Sequence, residues 1–225
     1  NVAIGTDALG IQNFTTSTDS YNTAVGFAAG GAITTGTANV LMGGLAGDAL
    51  TTGTNNTAIG HEALSTEDAH GTNVAVGYQT LKTLNAGANG SNVAVGYQTG
   101  LAMTTGIENT LMGALAGDAL TNADRNTAFG YSALTVDTLG SKSTALGSIA
   151  LANQNFTTAT DSHNTAIGYA AGQEVTTGTE NTLVGSLAGD AITTGNNNVA
   201  VGHLALSTNV LSHFNTAIGN DALFA

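Results

Sequence analysis

The chain has no cysteine, no proline and no tryptophan, and aromatic residues make up only 5% of its 225 positions. Without cysteine, no disulfide supports the fold. Without bulky side chains, a thick globular core is out of reach. The apolar residues are mostly Ala, Val, Ile and Leu, which fill a thin core. Positive charge is equally scarce: Lys82, Arg125 and Lys142 stand against 15 acidic residues, for a net charge of -12. Phosphate binding needs Lys and Arg to displace counterions, so no nucleic-acid partner is expected. The same balance argues against docking on anionic membranes. No apolar run reaches the length of a membrane span, so membrane insertion is not expected. A signal-peptide pattern and an initiating Met are also missing, which reads as a processed form or an excerpt.

What the chain does contain is rhythm. A five-residue string of the form Asn-Thr/Val-Ala/Leu-apolar-Gly begins at Asn1, Asn22, Asn39, Asn56, Asn73, Asn92, Asn109, Asn126, Ser143, Asn164, Asn181, Asn198 and Asn215. Most steps are 17 residues, with longer steps after Asn1, Asn73 and Ser143. A near-fixed short period marks a repeat architecture whose units are stable only when stacked. Because apolar residues return in phase in every unit, the Gly-, Thr- and Asn-rich composition does not mean disorder. Glycine does not recur at every third residue, which excludes collagen.

Within one unit, Asn164-Thr165-Ala166-Ile167-Gly168 reads as a short strand. Thr165 and Ile167 face one side and Ala166 the other, and Gly168 turns the chain. A second apolar stretch, such as Ala63-Leu64 or Ala133-Leu134, reads as a second short strand. Polar turns such as Thr34-Thr35-Gly36 and Thr104-Thr105-Gly106 close the unit. The closely spaced glycines exclude helix, at about 1 kcal/mol each in a helix interior. The expected fold is therefore all-β: a parallel β-solenoid of about 13 coils. At a strand spacing of about 4.8 Å the rod would be roughly 58 Å long. The Asn at the head of each coil reads as a structural ladder of stacked amides, and ligand binding is the alternative for that column.

The steps also group in fours. Superrepeats span 22–91, 92–163 and 164–225, with 1–21 as the end of a preceding one. The fourth coil of each carries extra residues: Gln12 to Ser20, Thr83 to Ser91 and Gln154 to Ser162. These insertions are expected to project from one edge as loops, with Phe14 and Phe156 placed to anchor them against an adjacent chain. Neither end has an atypical capping unit, so the array reads as a window from a longer one or as a unit stacked end to end.

No catalytic constellation emerges, and no enzyme activity or cofactor is expected. There is no Gly-x-Ser-x-Gly elbow. Carboxylate neighbours such as Glu67-Asp68 read as solvated turn residues. Asp48, Asp118 and Asp190 recur in the second coil, but the next coil offers Ser65, Thr135 and Ser207 at that position, so no carboxylate row forms for calcium. His70, His163 and His213 lack zinc spacing, and no metal is expected. Phe27, His61, Tyr78, Tyr97, Tyr131, Tyr169 and His203 all follow the motif Gly. That column reads as packing between chains or as a stacking stripe for sugars. Asn13, Asn55 and Asn155 head glycosylation sequons, which arise easily in such turns.

The Asn1-Val2-Ala3-Ile4-Gly5 string and its copies resemble the head repeats of trimeric autotransporter adhesins of the YadA type. They are also similar to the Asn-Thr-Ala-Val-Gly arrays of bacteriophage tail fibres. The resemblance spans essentially the whole chain. It implies a left-handed parallel β-roll, three chains side by side, an extracellular place on a virion or cell surface, and a role in adhesion or as a fibre shaft. The longer coils, the four-coil period and the absence of a heptad stalk or membrane anchor favour the fibre segment. Three functions follow as expectations: a structural fibre segment forming a homotrimer, an adhesin recognising cell-surface glycans, and, ranked last, an ice-binding solenoid suggested by the Thr-Thr-Gly turns.

Overall fold

The computed structural model describes every residue except Asn209, Ser212 and Ala225. Its described residues contain no helix. Thirteen three-residue strands, one per coil, form a single parallel sheet. They are β1 (Val2–Ile4), β2 (Thr23–Val25), β3 (Val40–Met42), β4 (Thr57–Ile59), β5 (Val74–Val76), β6 (Val93–Val95), β7 (Thr110–Met112), β8 (Thr127–Phe129), β10 (Thr144–Leu146), β12 (Thr165–Ile167), β13 (Thr182–Val184), β14 (Val199–Val201) and β15 (Thr216–Ile218). A two-residue pair, β9 (Gly140–Ser141) with β11 (Thr160–Asp161), forms a second, minimal sheet. Each strand pairs with the next in identical register, Ala24 on Leu41 and Leu41 on Ala58, so motif position is spatial position. The chain is a parallel β-solenoid.

The middle residue of each strand points inward. Ala24, Leu41, Ala58, Ala75, Ala94 and Leu111 are fully buried, as are their successors to Ala200. Strand alternation sends the residues on either side outward. Small inward residues keep the coil slender, and Leu41, Leu111 and Leu183, in the second coil of each superrepeat, fill the space that Ala leaves.

The second apolar stretch of each coil is a turn and not the second strand read from the sequence. Its residues alternate between right- and left-handed backbone: Glu62 has φ 54°, Leu64 φ 53°, Ser132 φ 51° and Leu134 φ 56°. A left-handed non-glycine residue costs about 1–2 kcal/mol. The cost is offset because the left-handed residues aim their amides at neighbouring coils, while the residue between them bonds within its own turn, as Ala63 N–H does to Gly60 O. Glu62 N–H donates to Gly44 O in the coil before (3.0 Å), and Leu64 N–H to Thr80 O in the coil after (3.0 Å). The backbone thus curls while satisfying its polar groups between coils.

The motif glycine is the tightest point. Gly113 has φ +131°, and a Cβ there would lie 2.5 Å from Gly130 O in the next coil. No side chain fits. Gly113→Ala is therefore expected to destabilise the rod by more than about 3 kcal/mol, read from urea unfolding, because steric overlap adds to backbone strain. A change within about 0.5 kcal/mol would refute this packing.

Candidate functional site: the columns of the rod

The asparagine column closes the coils. Asn39 illustrates the pattern. Its Nδ2 donates to Gly53 O of its own coil (2.8 Å), tying head to tail across 14 residues. Its Oδ1 accepts the main-chain N–H of Asn56 in the next coil (2.9 Å). The same closure joins Asn22 to Gly36, Asn56 to His70, Asn92 to Gly106, Asn109 to Ala123, Asn126 to Gly140, Asn164 to Gly178 and Asn181 to Gly195. The main-chain to side-chain links run from Asn1 through Asn73 to Ser143, and from Asn164 through Asn198 to Asn215. From Asn22 to Asn198 these side chains are buried.

At Ser143 the amide is missing, and a neighbouring column supplies one. Gln154 Nε2 donates to Ser143 Oγ (2.8 Å), and Gln154 Oε1 accepts from Asn164 Nδ2 (2.9 Å). Gln154 occupies the twelfth position of its coil. In seven other coils that position holds core residues: Ile33, Leu50, Leu84, Met103, Leu120, Val175 and Ile192.

The twelfth position of the third coil is acidic, at Glu67 and Asp137, and both are fully buried. Glu67 is thus not a solvated turn residue. Its Oε1 accepts His70 N–H (3.1 Å), and its Oε2 accepts Ala86 N–H (3.1 Å). Asp137 repeats this with Gly140 N–H and Phe156 N–H, both at 3.0 Å, and takes Gln154 Nε2 at 2.6 Å. Ala86 and Phe156 lie in the insertions. An inserted segment has main-chain donors that no standard coil can accept, and a buried carboxylate supplies the acceptor. Each acid sits one coil before the insertion it holds. Aligning coils by position reveals this; reading Glu67-Asp68 alone does not.

The insertions therefore do not simply project as loops. Leu84 and Phe156 are buried, and β11 pairs an insertion onto the coil before it. Phe156 anchors its segment to its own rod beside Gly140 and not to an adjacent chain. Phe14 is half-buried.

The aromatic column lies on the surface. Phe27, His61, Tyr78, Tyr97, Tyr131, Tyr169 and His203 are all exposed, Phe27 at 58% and Tyr78 at 43%. Three of them form a stack, with centroids 5.7 Å apart for His61 and Tyr78 and 5.5 Å for Tyr78 and Tyr97. Gly44, Ala114, Ser148 and Ser186 interrupt the column elsewhere. Beside the stack runs a polar ladder: Gln98 Nε2 to Gln79 Oε1 (2.8 Å), Gln79 Nε2 to Glu62 Oε2 (2.7 Å) and Lys82 Nζ to the same oxygen (2.8 Å). Those hydrogen bonds hold the Glu62 carboxyl below its ordinary range. Arg125 pairs with Glu108 and Lys142 with Asp161.

Asp118 accepts from Thr135 Oγ1 (2.5 Å), joining the second-coil aspartate to the hydroxyl of the coil above. Asp48, Asp118 and Asp190 are pushed up by burial, and so is Asp137. Glu67, Asp68 and His70 bring ligand-type atoms within 4.8 Å of one another. Both Glu67 oxygens already hold main-chain amides, and the equivalent positions Thr138 and Gly140 carry no such groups, so the cluster belongs to the insertion anchor. Among the described residues no cavity opens into the rod.

Comparison with protein-family models, with curated proteins and with solved structures returns no match.

Two outcomes follow from these columns. Asn109→Leu leaves Ala123 O and Asn126 N–H buried without partners, and is expected to cost about 3 kcal/mol in urea unfolding. Buried Asp137 and the half-buried Asp48, Asp118 and Asp190 set a pH dependence. Their folded-state pKa values lie above the ordinary 3.8. In the window above that value the native state holds more protons than the unfolded one, so stability falls as pH rises through it. Melting temperature should therefore climb as pH drops from 7 into that window, and Asp137→Asn should flatten the climb. A melting temperature that fell steadily over the same range would contradict the assignment.

Proposed function

We propose that this chain is a segment of an extracellular fibre on a virion or cell surface: a non-catalytic rod that associates side by side with copies of itself, as a trimer. One observation carries the reading. The outward face of the sheet is a continuous apolar stripe with nothing of the chain over it. Met42, Ile59, Phe129, Leu146 and Ile167 stand 36–48% exposed along it, and the companion row mixes valines such as Val40 and Val74 with threonines such as Thr57 and Thr127. Thirteen strands at about 4.8 Å, each about 10 Å across, make a face of roughly 600 Å². A face of that area approaches the roughly 800 Å² that each partner contributes to a standard interface. The core behind it is largely Ala, so a lone rod buries little apolar volume and gains by association. The resemblance to trimeric surface fibres supports the number three.

A second reading is an adhesin head that binds surface glycans. The exposed ring column, with amide and carboxylate groups beside Tyr78 and Tyr97, favours it. In that case Tyr78→Ala and Tyr131→Ala would abolish glycan capture while leaving assembly intact.

The primary reading is tested by sedimentation. The chain, 22.1 kDa, is expected to sediment as a trimer. Leu146→Glu with Ile167→Glu should reduce it to a monomer with β-structure retained, because two charges then meet an apolar face. A wild-type monomer at micromolar concentration would overturn it.

A further inference from the structure

The row of residues that follow the motif glycine changes character halfway along the rod. His61, Tyr78 and Tyr97 stack in consecutive coils, their rings inclined by only 13° and 9°, so the ring faces look along the rod. From Tyr97 onward, rings and small residues take turns: Ala114, Tyr131, Ser148, Tyr169, Ser186, His203. Main-chain bonds tie this stretch coil to coil, among them Leu115 N–H to Tyr97 O (3.0 Å), Ile149 N–H to Tyr131 O (2.9 Å) and Leu187 N–H to Tyr169 O (2.9 Å). The rings are therefore teeth set two coils apart, about 9.6 Å at the strand spacing. Between each pair lies a slot floored by Ala or Ser. The neighbouring row alternates in step. Half-buried Leu115, Ile149 and Leu187 lie beside the slots, whereas Gln98, Ser132 and Ala170 lie beside the rings. Tyr97, Tyr131 and Tyr169 are 52–57% exposed. Between Tyr97 and Leu204 neither row carries an acid, although Asp7, Glu62 and Asp221 occupy the second row elsewhere.

We propose that this stretch is a contact surface for a second copy of the chain, laid antiparallel, with the rings of each copy seated in the slots of the other. A ring placed midway in a slot lies about 4.8 Å from each wall, within the roughly 4.5–7 Å of stacked aromatic pairs. The slots recur at a two-coil period, which the rings of another copy match tooth for tooth. Displaced by an odd number of coils, the pattern is its own complement. Tyrosine without charge is also the composition of interface centres. Antiparallel order closes the pair about a two-fold axis, whereas a parallel one-coil stagger leaves an open staircase. With the axis between the coils that start at Ser143 and Asn164, Tyr169 enters the slot over the partner's Ser148. Tyr131 then enters the slot over the partner's Ser186, and His203 the slot over the partner's Ala114. This surface is distinct from the sheet face that carries side-by-side association. Its few rings cover less than a standard interface, so the contact is weak between single rods and strengthens where several act together.

The test is disulfide cross-linking, which is clean because the chain has no cysteine of its own. Chains with Ala114→Cys and chains with His203→Cys are mixed at high concentration and oxidised. They should link to each other and neither to itself, since like positions then lie about five coils, roughly 24 Å, apart. Ser148→Tyr fills a slot with a ring of its own and should cut the mixed dimer by about tenfold, the upper worth of one stacked ring pair. Tyr131→Ala should cut it as well, with β-structure retained. Linkage of Ala114→Cys to Tyr131→Cys instead would mean a parallel stagger and overturn the antiparallel register. A yield unmoved by Ser148→Tyr, or no linkage at all, would overturn the contact itself. So would glycan capture that Tyr131→Ala abolishes while copies fail to link, which would make the row a sugar site. All these variants leave the sheet face intact, so trimer sedimentation reads the side-by-side association separately. Repeating the cross-link in Leu146→Glu/Ile167→Glu chains reads this contact without it.

Discussion

Every coil of this rod has to give its main-chain polar groups to the coils above and below, because the slender core has no other partners for them. Strand amides, the left-handed turn amides and the asparagine Oδ1 link coil to coil, while other turn amides and the asparagine Nδ2 bond within their own coil. The constraint reaches down to single residues. Glycine occupies the point where Gly113 meets Gly130 because two backbones approach within reach of a Cβ. Leucines such as Leu64 and Leu134 accept left-handed backbone because that conformation aims their amides at the next coil. The asparagine holds its coil closed and hands an acceptor to the next one, so coil closure and coil stacking are a single act.

The same constraint explains the four-coil period. A coil of 17 residues satisfies itself against its neighbours, whereas a longer coil introduces donors that have no counterpart. The rod answers one coil earlier, by exchanging a core leucine or isoleucine for Glu67 or Asp137. Burying an acid is costly on its own. Here it collects two or three donors, which makes the insertion a built part of the solenoid.

Much of this was legible in the sequence. The spacing of the asparagines marked the coils, and the Ala or Leu at the centre of each strand marked the buried column, because register in a stacked sheet turns periodicity directly into geometry. The second apolar stretch is not legible in this way: Ala-Leu pairs look extended by composition, and nothing in the residue types announces alternate left-handed backbone at Leu64. The burial of Glu67 is equally hidden, since an acid beside an acid in a polar stretch usually lies in water. Its burial depends on an insertion 19 residues later, a relation that becomes visible only when coils are superimposed. Gln154 escaped notice for the same reason, because its role depends on a serine at the head of its coil. The exposure of Tyr78 or Tyr131 follows from the outward direction of the position after the motif glycine, and what they touch in an assembly lies outside a single chain.

Because all thirteen strands pair along the axis of the solenoid, tension applied at the two ends meets the coils one after another. Each junction opens like the tooth of a zipper, without shearing as a sheet pulled along its strands would. A released coil of 17 residues extends to roughly 50 Å beyond its stacked height. Such a rod gives way in near-equal steps, longer at each coil that carries an insertion, while the remaining coils stay folded and ready to restack when the pull relaxes.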